Sequence, residues 1–320
     1  MNQAFTPDAK VFVAGHRGLV GSAILRALQA QGFTNLLLAT SAELDLRSTV
    51  EVQTFFARQR PDFVFLAAAK VGGILANSTY PADFIRDNLL IQTNVIDSAY
   101  REGTTKLLFL GSSCIYPRDC PQPIKEEYLL TGPLEESNEW YAIAKIAGIK
   151  MCQAYRRQYG FNAISAMPTN LYGPNDNFDL QTSHVLPALV RKVVEAKARN
   201  EPSVTLWGSG TPRREFLHVD DCADACLFLM NNYEGESHIN VGSGVDVTIL
   251  ELAEIVRAAV GFTGEIQLDR AKPDGTMRKL MSSARLHALG WRHRISLAEG
   301  IAGMVTDYRL NLSSASEPVC

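Results

Sequence analysis

Residues 10–21 read KVFVAGHRGLVG. An apolar run ends in glycine, and two further glycines follow at three-residue intervals, giving Gly15, Gly18 and Gly21. A run without polar alternation is the pattern of a strand buried on both faces. From residue 19 to 31 the apolar spacing becomes helical. Glycines between such a strand and helix let the backbone turn tightly, and they bring a diphosphate to the helix-terminal amides with no Cβ in the way. Three spaced glycines alone could merely pack helix on strand. Their place after a first buried strand favours a dinucleotide site.

The same alternation continues outward. NLLLAT (35–40), DFVFLAAA (62–69), KLLFLGSS (106–113) and NAISAMPTN (162–170) read as further buried strands, separated by helical stretches such as VEVQTFFARQR and NLLIQTNVIDSAYREG. Apolar strands alternating with amphipathic helices predict an α/β fold, a doubly wound parallel sheet with ligands at the carboxyl ends of its strands. After residue 174 the pattern loosens. YGPNDNFDLQTSH reads as a polar loop, 185–199 as a helix, and SVTLWGSG, EFLHVDD and SHINVGSG as short strand-and-turn pieces. Thr248-x-x-Glu251 and Ser296-x-x-Glu299 are capping boxes opening helices. The expected organisation is an N-terminal extension (1–9), a dinucleotide-binding domain (10–174), a mainly substrate-binding smaller α/β lobe (175–310), some of whose elements return to the first domain, and a loose tail (311–320).

Bulk properties narrow the partners. A net charge of −3 over 320 residues gives no reason to expect nucleic acid or an anionic membrane. No apolar run approaches the roughly 20 residues of a membrane-spanning helix, and the N-terminus lacks a secretory pattern, so a cytoplasmic location is expected. Cysteines 114, 120, 152, 222, 226 and 320 show no metal-ligand spacing; thiols are expected and no metal. Cys222 and Cys226, four residues apart, read as small helix residues.

An NAD site usually places an acid at the end of the second strand. This chain has Ala39-Thr40-Ser41 there and no carboxylate until Glu43. Arg17, inside the glycine loop, offers a guanidinium to a 2′-phosphate, so NADP(H) is the expected cofactor.

YAIAK places Tyr141 and Lys145 on one helical face, and LGSSC ends a strand about thirty residues upstream with Ser112 and Cys114. With a nicotinamide site these form a carbonyl-reducing set. Tyrosine, with a pKa of about 10, needs a neighbouring cation to act at neutral pH. Lys145 supplies it, Tyr141 protonates a ketone oxygen, and Ser112 donates a hydrogen bond to the same oxygen. Hydride transfer has no use for a thiol. Cys114, two residues beyond Ser112 and expected on the same side of an extended strand end, suits proton exchange at carbons beside the ketone. Inversion needs a second group on the opposite face, for which His184 is the candidate. Each has a plainer reading, Cys114 as a buried small residue and His184 as a loop histidine.

Taken with PTNLYGPND, REFLHVDD and KPDGT, these residues resemble the extended short-chain dehydrogenase/reductase family. LAAAKVGGI, TYPADFI and WGSGTPRREFLHVDD are long enough to point to its NADPH-dependent 3,5-epimerase-4-reductases of GDP-4-keto-6-deoxymannose. The similarity runs from about residue 10 to 300. It implies a Rossmann fold, a GDP-sugar substrate and a homodimer. It also implies that Ser112, Tyr141 and Lys145 form the reductase set, while Cys114 and His184 exchange protons, their individual assignment left open. Gly15, His16, Arg17, Gly18, Leu19, Val20, Gly21, Ser41, Leu110, Gly111, Ser112, Ser113, Pro168, Thr169, Asn170 and Leu171 would contact the cofactor, with Lys145 and His184. Lys192, Trp207, Arg214 and Asp274 would contact the nucleotide sugar. Ser41 stands where relatives can carry an arginine for the 2′-phosphate. Lys192 stands where arginine also occurs, so bidentate phosphate binding is lost there. Met277 replaces a more usual proline.

Three other readings compete. A 4,6-dehydratase would want an acidic pair where Ser113-Cys114 stands. A 4-epimerase recycling bound NAD would not need Cys114. A non-catalytic NADP(H) sensor could dispense with Tyr141 and Lys145, and both are present.

Overall fold

The computed structural model describes residues 4–180 and 182–315. The first half runs β1 (Val11–Ala14), α1 (Leu19–Ala30), β2 (Leu36–Leu37), α2 (Thr49–Gln59), β3 (Phe63–Leu66), α3 (Ile74–Thr79), α4 (Pro81–Arg101), β4 (Lys106–Leu110), α5 (Glu139–Tyr159) and β5 (Ala163–Pro168). It continues through β6 (Asn170–Tyr172), α6 (Val185–Ala198), β7 (Ser203–Trp207), β8 (Arg213–His218), α7 (Val219–Asn232) and β9 (Ile239–Val241). β10 (Asp246–Thr248), α8 (Ile249–Val260), β11 (Glu265–Asp269), β12 (Arg278–Lys279), α9 (Ala284–Ala288) and α10 (Leu297–Ala315) complete the chain.

Six parallel strands form the main sheet in the order β2-β1-β3-β4-β5-β9. Successive side chains on a strand point to opposite faces, which explains why the strands are apolar throughout. Val11, Val13, Phe63, Phe65, Leu108 and Leu110 pack with α1 and α7. Phe12, Ala14, Val64, Leu66, Leu107 and Phe109 pack with α2, α4 and α5 on the other face. The fold is therefore a doubly wound α/β sheet. Its order reverses between β1 and β3, and the crevice at that switch point is where such sheets bind ligands.

Strand lengths differ from the sequence reading where burial changes. Only Leu36 and Leu37 of NLLLAT pair with β1, because β2 is an edge strand and Leu38 is already exposed. The run 162–170 breaks at Thr169. Its amide bonds to the Val241 carbonyl of β9, and Asn170–Tyr172 leave the main sheet to pair with β8. That break turns the chain from one sheet to the other.

The second sheet joins β6, β8, β10 and β12, and β7 pairs with β11. A separate core of Val190, Val193, Leu252, Val256, Ile301 and Val305 lies beneath α6, α8 and α10. α7 and β9 return to the main sheet, with Cys222 and Cys226 fully buried in its core. Both capping boxes form: Thr248 with Glu251 at 2.7 and 3.0 Å, and Ser296 with Glu299 at 3.1 and 3.3 Å. α10 continues to Ala315; residues 316–320, with Cys320, lie outside the described residues. No described helix is long and apolar enough to cross a membrane.

Candidate active site

A cleft of about 700 Å³ opens at the carboxyl ends of β1, β3, β4 and β5. The glycine loop forms one wall. An alanine Cβ at Gly21 would stand 2.0 Å from the Gly15 carbonyl oxygen, and one at Gly15, whose φ is +86°, would stand 2.8 Å from the Ala68 backbone. Nothing but glycine fits at these two positions. At Gly18 the nearest atom to an added Cβ is 3.5 Å away, so that face of the loop is open. Gly18 also caps α1 with no side-chain hydrogen bond, leaving the first-turn amides for an anion. A dinucleotide diphosphate fits this cradle.

Gly15, Gly18, Leu19, Val20, Gly21, Ser41, Leu110, Gly111, Ser112, Ser113, Tyr141, Lys145, Pro168, Thr169, Asn170, Leu171 and His184 all line the cleft. His16, Arg17 and Cys114 are outside that lining. Arg17 is exposed and lies near Glu43. The Glu43 carboxylate accepts from the Thr40 amide and hydroxyl, each at 2.8 Å, so it is turned back into its own loop.

Lys145 and Tyr141 project from one face of α5. Burial brings the Lys145 ammonium down to about 8. Its Nζ donates to the Leu110 carbonyl at 2.8 Å and lies 5.7 Å from the centroid of the Tyr141 ring. Burial pushes the Tyr141 phenol up, with nearby Cys114 adding to the effect, so this tyrosine keeps its proton as a donor must. β4 ends at Leu110, Ser112 is extended, and Ser113–Ile115 form a 3₁₀ turn. Cys114 is therefore not placed by strand alternation, as the sequence had suggested. The turn buries it at 7% exposure, outside the cleft lining. Burial pushes its thiol up, while Lys279, the Ser112 hydroxyl and Lys145 pull the other way. His184 caps α6 with no side-chain cap bond. It opens onto the cleft among protein groups whose burial pushes its imidazole below the ordinary value. The site thus holds one thiol and one neutral imidazole, a proton donor and a proton acceptor.

A second cleft of about 270 Å³ brings together Lys192, Trp207, Arg214 and Asp274, four residues spread over more than eighty positions. Burial lowers the Arg214 guanidinium, which donates to the carbonyls of Arg213 and Thr276 at 2.8 and 2.6 Å. Asp274 accepts from the Ser209 amide and hydroxyl at 2.9 and 2.7 Å. Lys192 and Lys272 lie 5.5 and 5.3 Å from the Trp207 ring centroid, and the indole is 65% exposed. A flat aromatic surface beside the half-buried Arg214 guanidinium suits a base joined to a diphosphate.

Sequence reasoning missed an ion cluster on the cofactor rim. Arg47 pairs with Asp45 at 2.8 Å and with Asp87 at 3.6 Å, and Asp87 also meets Lys70 and Arg86 at 3.2 and 2.8 Å. Asp45, Arg47, Lys70 and Asp87 all line the large cleft. An acid followed by asparagine inside a helix, Asp87-Asn88, was the available signal, since Asn88 clamps the Lys70 backbone on both sides. Lys279 was missed as well, because a two-residue strand carries no periodicity.

Residues 11–242 match the model of the NAD dependent epimerase/dehydratase family. The chain is 63% identical over 305 residues to GDP-L-fucose synthase 1 of Arabidopsis thaliana, covering 95% of this chain and 94% of the relative. It resembles the solved GDP-L-fucose synthetase from Naegleria fowleri bound to NADP, with a TM-score of 0.90 and 30% identity over 99% of this chain and 97% of that one. It also resembles a GDP-mannoheptose C4 reductase from Campylobacter jejuni with NADP bound, with a TM-score of 0.89 and 40% identity over 96% of this chain and 100% of that one. A glycine cradle, a Tyr-Lys pair on one helix and a family match across the whole main sheet agree: the chain belongs to the NAD dependent epimerase/dehydratase family.

Proposed function

We propose that the protein converts GDP-4-keto-6-deoxy-D-mannose to GDP-L-fucose, inverting C3 and C5 and then reducing the C4 ketone with NADPH. The observation that carries this reading is the convergence of Ser112, Tyr141, Lys145 and His184 on one cleft, with the Cys114 thiol interacting with Ser112 and Lys145 of its lining. A plain ketoreductase needs the first three and has no use for the last two. Identity of 63% to a protein named GDP-L-fucose synthase supports the choice of substrate.

The glycine loop, Ser41, Leu110–Ser113, Pro168–Leu171 and Lys145 would hold NADPH, which when bound supplies a hydride for C4. His16 and Arg17 remain candidate contacts at the adenosine end. Ser112 and Tyr141 would hold the C4 oxygen. Their hydrogen bonds stabilise the negative charge that develops on that oxygen, both when a neighbouring proton leaves and when the ketone is reduced. Of Cys114 and His184, one accepts a proton from C3 or C5 on one face of the ring, and the other returns a proton to the opposite face. After both inversions Tyr141 gives its proton to the C4 oxygen, with the Lys145 ammonium stabilising the phenolate left behind. In the smaller cleft Trp207 would stack on the base, Arg214 and Lys192 would neutralise the diphosphate, and Asp274 would accept from hydroxyls.

In this reading residues 10–174 would bind the dinucleotide and 175–310 mainly the sugar nucleotide. We further propose a cytoplasmic homodimer formed through α4 and α5, which leave Leu90, Ile143 and Tyr159 exposed; sedimentation of the intact protein at twice the chain mass tests it. The function is tested by mixing the keto-sugar with NADPH. The expected result is one NADPH consumed per GDP-L-fucose formed, and untouched NADPH contradicts it.

A further inference from the structure

A fully buried carboxylate stands between residues of the two clefts. Glu215, on β8 beside Arg214, has no exposed surface, and among the described residues its charge is met by amide and hydroxyl donors rather than by a cation. Oε1 accepts from the Gly244 amide at 2.7 Å and the Ser243 hydroxyl at 3.4 Å, and Oε2 accepts from the Met281 amide at 3.0 Å. The Glu215 main-chain carbonyl accepts from Asn170 Nδ2 at 2.8 Å and Thr169 Oγ1 at 3.4 Å. Gly242 is packed so closely that an added Cβ would stand 2.3 Å from Oε1. Burying a carboxylate without a counter-ion is costly, and apolar packing would close the same space more cheaply.

Each tethered segment leads to a wall of a cleft. Met281 follows β12 and the Pro273–Gly275 stretch that lines the smaller cleft, and Gly244 leads through β10 to Ile249 in the same lining. Thr169 and Asn170 line the larger cleft. Lys279 of β12 lies opposite Arg214 in register and acts electrostatically on Cys114.

We propose that Glu215 is a positioning residue for the nucleotide-sugar site. Its carboxylate fixes residues 273–281 and 243–249 around Arg214, and its carbonyl fixes that assembly against the cofactor wall. The inference rests on the reading of the smaller cleft as the GDP site.

Glu215→Gln preserves the shape but turns an amide NH2 towards a backbone N–H, so one of the two tethers is lost. GDP and NADPH titrations of wild type and variant, with steady-state kinetics, test the proposal. GDP affinity is expected to fall at least tenfold while NADPH affinity stays within twofold. The keto-sugar KM should rise and kcat should fall towards the roughly 10²-fold loss of a 1 Å misplacement. Unchanged GDP affinity and KM overturn the proposal, and so does a parallel loss of both ligands, which marks general loosening. If E215Q does not fold, Gly242→Ala displaces the same carboxylate and must give the same split; without it the proposal fails. Wild-type protein that binds no GDP overturns both the cleft reading and this inference. Wild type that binds GDP beside an unchanged variant overturns this inference alone.

Discussion

Replacing Gly21 with alanine puts a methyl carbon 2.0 Å from the Gly15 carbonyl oxygen, 2.6 Å from its carbonyl carbon and 3.0 Å from the His16 Cα. All three are backbone atoms, so no side chain can rotate away. The Gly15–Gly18 turn must retreat by more than an ångström to reach ordinary contact, and it can retreat only into the space a diphosphate would take. Overpacking of this kind costs about 1–3 kcal/mol, offset by about 0.5–1 kcal/mol for exchanging glycine for alanine inside a helix. A net destabilisation of up to about 2.5 kcal/mol is expected. A charge-assisted bond to a phosphate is worth about 1.5–3 kcal/mol, so loss of one such contact weakens NADPH binding about 10- to 100-fold. Gly18→Ala is the internal comparison. Its methyl meets nothing closer than 3.5 Å, so the fold should lose no more than about 1 kcal/mol, the preference for glycine over alanine at a helix cap, while NADPH binding weakens. Urea unfolding and fluorescence titration of NADPH read the two quantities separately. Wild-type stability and NADPH affinity in Gly21→Ala would refute the cradle as drawn.

Cys114→Ser and His184→Asn should each slow exchange of solvent hydrogen into the sugar by about 10²-fold or more, measured by NMR, and Cys114→Ser, which lies outside the cofactor lining, should leave NADPH affinity within twofold, measured by titration. Because burial brings Lys145 down to about 8, kcat/KM for NADPH should fall as pH rises through about 8, where the ammonium that supports Tyr141 is lost; a flat profile to pH 10 would remove Lys145 from that role. Asp246 sits between Arg213 and Arg278, and hydrogen bonds from both overcome burial to hold its carboxyl below the usual range. Asp246→Asn should therefore destabilise the fold by about 1–3 kcal/mol at pH 7. A lowered folded pKa means stability present above the unfolded value of about 3.9 and lost as pH falls through the folded one. The gap between variant and wild type in urea titrations should accordingly close on acidification.

The large sheet was legible because a strand buried on both faces announces itself: Val11–Ala14, Phe63–Leu66 and Lys106–Leu110 are all buried, and helical stretches lie between them. Gly15 and Gly21 were legible for the same reason, since only a backbone contact forces glycine. Partners set by tertiary pairing were not. Thr169 looks like strand interior, yet its amide is claimed by Val241, some seventy residues away. Cys114 was singled out for its thiol and misplaced in its geometry, because a 3₁₀ turn and an extended strand end begin with the same residues. Glu215 directly follows two arginines in β8, so nothing local marks it as buried, and its three donors come from two distant loops. The smaller cleft gathers Lys192, Trp207, Arg214 and Asp274 from separate elements, so resemblance could nominate them where periodicity could not.

The most direct test of the central claim is the position of deuterium in the product when GDP-4-keto-6-deoxymannose and NADPH react with this protein in heavy water. Deuterium at both C3 and C5, with stoichiometric loss of NADPH, is the predicted result, because each inversion removes one hydrogen and takes its replacement from solvent. NADPH oxidation with no deuterium at either carbon would contradict it, leaving a ketoreductase in which Cys114 only packs.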